Sequence, residues 1–189
     1  MLDIRKLMSD LSRHHPCFNL EEDFKHALKR QIRKAMPNSD PHLEYKIKNM
    51  KLDIYLPTER IAIELKHRLP HRNANYGRYY FLEDVERIER IVKDGNADSG
   101  IAVLLTNYQT LWGPPRGGWE TTTDAAFRLH EGRTITGKLT WSDKTAESTK
   151  EGREGPICLT GSYRLHWRDY SSLGTGTNQQ FRYLAVSVK

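Results

Sequence analysis

Cysteine is scarce in this chain: two in 189 residues, Cys17 and Cys158, far apart and in no CxxC arrangement. That excludes a disulfide scaffold and a cysteine-rich zinc module, and makes a reducing, cytoplasmic setting the default expectation. Long hydrophobic runs are missing too. No stretch approaches the roughly 18 consecutive apolar residues of a membrane span. The first ten residues carry Asp3, Arg5 and Lys6, unlike a secretory signal. There is no Walker A motif and no GxSxG elbow, and Gly174-Thr175-Gly176 lies in a polar loop without the strand–turn–helix context of a dinucleotide fingerprint. No small organic cofactor is therefore expected. His67 and His71 are four apart, but Pro70 between them argues against a helical zinc pair.

What is present is charge. Lys plus Arg number 30 and Asp plus Glu 24, a net charge of +6 that permits an anionic partner without proving one. Apolar residues make up only 37%, so a large solvated surface is expected. The length suits one domain over residues 1–189.

Periodicity predicts the elements. Ile4, Leu7, Met8 and Leu11 mark a short helix over residues 3–12. Asn19 and Glu22 resemble a capping box before a second helix, whose stripe is Leu20, Phe24, Leu28, Ile32 and Ala35. Three alternating runs follow, 42–48, 51–56 and 60–67, read as an antiparallel meander with a turn at Asn49-Met50. In the first, Leu43, Tyr45 and Ile47 share a face; in the second, Leu52, Ile54 and Leu56; in the third, Ile61, Ile63 and Leu65. A basic loop at 67–78 leads to a helix carrying Leu82, Val85, Ile88, Glu89 and Val92. The continuous run Ile101–Leu105 fits a strand buried on both faces, joined to the sheet in parallel through that helix. The expected fold is α/β: an α/β/α sandwich with a mixed central sheet and an α-β-β-β-α-β core. Beyond it, Asp124–His130 reads as a short helix, Thr134–Trp141 as a strand, Ser142–Gly155 as a mobile segment, and Ser162–Tyr170 and Phe181–Val188 as strands. The core would span about residues 20–107, with a β-rich extension over about 108–189.

The chemistry centres on Asp53-x10-Glu64-x-Lys66. Strand parity puts Glu64 and Lys66 side by side, and Asp53 projects from the preceding strand. If those strands pair, two carboxylates and an ammonium converge on one polar patch. Carboxylates suit Mg²⁺, a hard cation that prefers oxygen ligands and keeps several waters. Such an ion acidifies a water and offsets charge on a phosphoryl group. The lysine positions the water, helps deprotonate it, or stabilises developing negative charge. Asp23-x-Lys25 and Glu44-x-Lys46 match the same short pattern, but only Glu64-x-Lys66 has apolar flanks, a preceding strand with an aspartate, and a helix and buried strand behind it. Solvated charges on an exposed strand are the competing reading, and a costly one on a central strand.

At these residues the chain resembles the PD-(D/E)xK nuclease superfamily, the restriction-endonuclease-like fold. The resemblance covers about residues 20–107 and rests on Asp53, the segment Ile61–Lys66 and the element order; Leu52 stands where the motif name has proline. It implies that Asp53 and Glu64 bind Mg²⁺, with Mn²⁺ as a substitute, and that Lys66 is catalytic. It also implies a further acid on the first core helix. Glu21 is the first candidate and Glu22 the second, against a plain helix-start acid favoured by the macrodipole. Glu44 would line the rim or be a solvated strand charge.

Arg68, Arg72 and Arg78, interleaved with Tyr76, Tyr79 and Tyr80, suit phosphate contacts and base stacking, with a bland solvated loop as the alternative. Arg164, His166 and Arg168 alternate with Tyr163 and Trp167; for the two aromatics a core face is the favoured reading. Asp84, Arg87 and Glu89 carry only a minority functional reading, and Glu86–Arg90 reads as a helical pair. The resulting expectation is a Mg²⁺-dependent endonuclease acting on DNA, restriction-like or defence-linked, as a homodimer if it cuts both strands. The rivals are a repair or junction nuclease, an RNA-directed nuclease, and a nucleic-acid-binding module without catalysis.

Overall fold

The computed structural model describes residues 2–70, 73–114 and 117–189. Two helices open the chain, α1 (Ile4–His14) and α2 (Glu21–Ala35). Asp3 caps α1 by accepting the Arg5 and Lys6 backbone N–H groups, which the helix itself leaves unpaired. The capping box expected at Asn19 is absent: α2 starts after Leu20 with no side-chain cap, and Glu21, Glu22 and Asp23 supply negative charge to its first turn instead.

Strands β1 (His42–Ile47), β2 (Met50–Leu56) and β3 (Ile61–Arg68) form the antiparallel meander. The turn sits one residue earlier than expected, at Lys48-Asn49, with Ile47 opposite Met50 and Lys48 in the left-handed region. Helix α3 (Ala74–Lys93) then crosses to β4 (Ser99–Thr106), which pairs with β3 in parallel along the whole of both strands. The sheet continues beyond β4. Strand β8 (Gln180–Val188) lies antiparallel beside it, and β7 (Trp167–Ser172) beside β8. The order β1-β2-β3-β4-β8-β7 makes one mixed sheet of six strands. The fold is thus an α/β sandwich with extra β strands, and the C-terminal half completes its central sheet.

One side of the sheet is covered by α1 and α2, whose Leu7, Met8, Leu11, Phe24, Leu28 and Ile32 pack on Ile54, Leu56, Ile61, Ile63, Leu65 and Val103. The other side carries α3 and a two-stranded sheet of β5 (Thr134–Leu139) and β6 (Ile157–Arg164). Gly100 on β4 permits the close approach of α3: a Cβ there would lie 2.3 Å from Ile88 Cγ2.

The run expected as one strand over Ser162–Tyr170 is divided. Arg164 ends β6, Leu165 and His166 turn the chain, and Trp167 starts β7 in the other sheet. Tyr163 and Trp167 do face inward: Tyr163 donates to Glu89 at 2.7 Å, and Trp167 Nε1 donates to the Leu129 carbonyl at 2.6 Å. Asp124–His130 holds a single 3₁₀ turn at Ala125–Phe127 rather than a helix. Ser142–Gly155 is tied down by a short helix, α5 (Glu147–Lys150), and by Trp141 Nε1 donating to the Arg153 carbonyl at 2.8 Å.

Candidate active site

Strand parity reverses in both β1 and β2. Leu43 and Ile54 face each other on the α2 side, whereas Tyr45 and Leu52 face each other on the α3 side. Strict alternation would have kept Leu43 with Tyr45, and Leu52 with Ile54. The reversal occurs at the residues between, Glu44 and Asp53, where Glu44 takes a φ of 53°. The expected common face for each apolar set is therefore corrected: each strand feeds both cores.

Asp53 occupies the point where β2 and β3 part. Their pairing runs only from Leu56↔Ile61 to Ile54↔Ile63. Beyond it, Asp53 Oδ2 accepts the Leu65 backbone N–H at 2.8 Å, so a side chain replaces the missing ladder contact. Its Oδ1 lies 3.0 Å from Lys25 Nζ, brought in by α2. The same ammonium pairs with Glu22 at 3.1 Å and with Glu44. Burial works against the charge on Lys25, but Glu44, Asp53 and Glu22 outweigh it and hold its pKa above the ordinary lysine value.

On β3, Ile61, Ile63 and Leu65 keep their expected face, so Glu64 and Lys66 point together toward α3. Glu64 is 2% exposed. Burial, then repulsion from Asp84 and Asp53, pushes its carboxyl up to about 9; Arg87 opposes this, and a hydrogen bond with the Asp53 carboxyl adds to it. A buried carboxyl beside other acids favours its neutral form until a proton or a cation offsets the charge. Arg87 Nη1 donates to Glu64 Oε1 at 3.0 Å.

Lys66 Nζ lies 2.9 Å from Asp84 Oδ2. Burial opposes its charge, but Asp84, Glu21 and Asp53 raise its pKa above the ordinary value. Lys66 is therefore an ammonium here, a source of positive charge and hydrogen bonds rather than a proton acceptor. Asp84 itself is pushed up by burial, against the pull of Lys66 and Arg87.

Glu21, the first candidate for a further acid, does reach this end of the sheet: its Oε2 accepts the His67 backbone N–H at 2.8 Å. Glu44 sits at the rim between Lys25 and Lys51. Asp84 and Arg87 also meet this centre, pairing with Lys66 and Glu64, and strand spacing alone misses them. Their signal lay in α3: Phe81, Asp84, Ile88 and Ile91 share its buried face, and an acid at such a position needs a partner. Glu89 belongs elsewhere. It accepts the Thr160 and Gly161 backbone N–H groups at 2.8 and 2.7 Å and so ties β6 to α3. Glu86 accepts the Cys158 N–H rather than pairing with Arg90.

The expected nucleic-acid contacts fare differently. Arg78 is 1% exposed and cannot reach a phosphate backbone at the surface. Its guanidinium pairs with Asp124 and donates to Asn75 at 2.9 Å and to the Thr110 carbonyl at 2.7 Å. Tyr76 is covered by the Arg153 guanidinium, 3.7 Å from its ring centre, so that ring face is not open for base stacking. Both corrections have one cause: Asp124 and Arg153, the charged partners of Arg78 and Tyr76, lie more than 40 residues downstream, where local reading does not look. Arg68 is half-buried with its guanidinium 5.8 Å from the Tyr80 ring centre. Arg72 lies outside the described residues.

The donor set fits a hard divalent cation in kind. Asp53 and Glu64 each offer carboxylate oxygens, and Mg²⁺ is commonly held by one or two carboxylates with water and substrate oxygens completing the shell. Among the described residues, no group of three or more His, Cys, Asp or Glu side chains forms a fuller cage. Also among them, no helix is long and apolar enough to cross a membrane. No family model, curated protein or solved structure matches this chain.

Proposed function

We propose that the chain is a metal-dependent endonuclease of the PD-(D/E)xK type that hydrolyses phosphodiester bonds in DNA. The observation that carries this reading is that Asp53 accepts the backbone N–H of Leu65, the residue between Glu64 and Lys66, at 2.8 Å, while Glu64 and the Lys66 ammonium share one face of β3. Asp53 and Glu64 would hold Mg²⁺, or Mn²⁺ in its place, and the bound ion supplies an acidified water and positive charge at the scissile phosphate. Asp84 holds Lys66 as an ammonium, suited to the negative charge that develops on the phosphoryl oxygens. Arg87 shields Glu64 from Asp84. Glu21, bound to the β3 backbone, fixes the strand end and adds negative charge beside Lys66. The net charge of +6 favours encounter with a polyanion. By the resemblance, the products carry 5′-phosphate and 3′-hydroxyl ends, and a homodimer would cut both strands.

The second reading is a nucleic-acid-binding module on the same fold. It is favoured by the ion pairs that already engage the centre: Lys25 on Asp53, Arg87 on Glu64, Lys66 on Asp84. Supercoiled plasmid separates the two. Mg²⁺-dependent nicking by the protein, abolished by EDTA and by Lys66→Ala, supports the enzyme. DNA retention without cleavage under any divalent ion supports the module, and preferential degradation of a structured RNA supports an RNA-directed nuclease.

A further inference from the structure

Both oxygens of Asp53 are engaged within the protein. Its Oδ2 accepts the Leu65 backbone N–H at 2.8 Å, and its Oδ1 lies 3.0 Å from Lys25 Nζ. The first contact belongs to the sheet. The second comes from a cation, and it stands where a divalent ion drawn to Asp53 has to approach.

Lys25 is buried on α2, beside the core residues Phe24 and Leu28. Lysine is almost never so buried unless it is paired. Its partners are three carboxylates: Asp53, Glu22 at 3.1 Å, and Glu44. Glu44 meets it from β1 with a φ of 53°, a conformation that a non-glycine residue seldom takes, and is shared with Lys51. These acids outweigh the effect of burial and keep Lys25 charged. Lys66 and Arg87 differ from it, because each divides its charge with Asp84, a carboxylate outside the Asp53–Glu64 pair.

The three acids around Lys25 are graded in exposure: the side chain of Asp53 is 16% exposed, that of Glu44 35% and that of Glu22 54%. An ammonium that leaves Asp53 keeps the other two carboxylates, which are the better solvated ones. Its release therefore strands no buried charge. A divalent cation and the ammonium cannot both press on Oδ1, since like charges repel strongly at close range in a poorly solvated setting.

We infer that Lys25 is the internal counter-cation of the Asp53–Glu64 centre: a divalent ion binds Asp53 only by displacing the Lys25 ammonium, and Lys25 thereby sets the cation affinity of the site. The inference rests on the metal reading of that centre. Without the ion, Lys25 neutralises Asp53 and keeps the acids around it from repelling one another. With the ion bound, Lys25 falls back on Glu44 and Glu22.

Electron paramagnetic resonance of Mn²⁺ titrated into the full chain, without DNA, tests this. Lys25→Met binds Mn²⁺ about tenfold or more tightly than the wild type, the shift expected when a like charge at close range is removed. Lys25→Arg keeps the charge and binds no more tightly than the wild type. The direction is decisive, because a merely structural lysine would have the opposite effect: its loss would loosen Asp53 and weaken binding. Adding Glu64→Gln to Lys25→Met removes the gain, which assigns the ion to the Asp53–Glu64 centre. If Lys25→Met fails to fold, Lys25→Gln decides, since it still donates to Asp53 and carries no charge. Equal or weaker binding by the folded neutral variant overturns the assignment, and leaves the metal reading standing where wild-type binding is itself lost in Glu64→Gln. A gain that survives Glu64→Gln overturns it too, because the ion then lies in the place vacated among Glu22, Glu44 and Asp53. Binding by none of these proteins overturns the assignment together with the metal reading.

Discussion

Asp53 Oδ2 accepts the Leu65 backbone N–H across the gap where β2 and β3 part, at 2.8 Å. One side chain thus closes the sheet and also offers a carboxylate to the candidate metal site. The two roles separate by substitution. Asp53→Asn keeps an acceptor for Leu65 and loses the charge, so it folds with near-wild-type stability and does not cleave. Asp53→Ala leaves a buried N–H unpaired and costs about 1–3 kcal/mol in urea unfolding, besides losing activity. Equal stability of the two variants would show that the bond to Leu65 carries no weight.

Glu64 makes the metal-free protein sensitive to pH. Its carboxyl ionises near 4.5 when unfolded and only near about 9 when folded. Between those values the folded state binds the extra proton. The contribution is therefore fully favourable below 4.5 and is lost progressively as pH rises toward 9. Glu64→Gln removes this slope and raises the stability of the metal-free protein at pH 8 by about 1–3 kcal/mol, while abolishing cleavage. Urea unfolding at several pH values in EDTA measures it. A wild-type slope that persists in Glu64→Gln would contradict the burial argument.

How much of this was legible beforehand differs by element. The β3–α3–β4 unit was, because Ile61, Ile63 and Leu65 alternate and Ile101–Leu105 runs unbroken, both direct marks of burial. Glu64 and Lys66 followed from the same parity. Asp53 was found by position, yet its setting was not: the reversal at Glu44 and Asp53 depends on which helix covers each end of the hairpin, a tertiary fact. Arg78 looked like a surface cation because Asp124 lies 46 residues away. The boundary between β6 and β7 was invisible because both sides of Leu165-His166 alternate in the same way. Asp84 was readable in principle, as an acid on an apolar helix face.

The Lys66–Asp84 pair predicts a mutant cycle. Lys66→Met leaves the buried Asp84 carboxylate only its longer contact with Arg87, at 3.5 Å, and costs about 3–5 kcal/mol. Adding Asp84→Leu recovers most of that loss, since two apolar side chains replace a buried ion pair at little cost. Cleavage stays absent in both. Additive destabilisation in the double variant would show that the two side chains do not depend on each other.

Gly100 sets the spacing between α3 and β4. Gly100→Ala forces its methyl against Ile88 Cγ2 and, at 3.1 Å, the Ala62 carbonyl. The resulting shift of α3 costs about 1–3 kcal/mol and carries Asp84 and Arg87 with it. Urea unfolding and plasmid nicking read both effects; unchanged stability would mean the helix gives way freely.

The central claim is that Asp53 and Glu64 together hold one divalent cation. Electron paramagnetic resonance of Mn²⁺, with a non-cleavable DNA duplex present, measures it directly. Stoichiometric binding by the wild type, lost in both Asp53→Asn and Glu64→Gln and competed by Mg²⁺, is the predicted result. Binding left intact by either substitution, or none at all in the wild type, would contradict it.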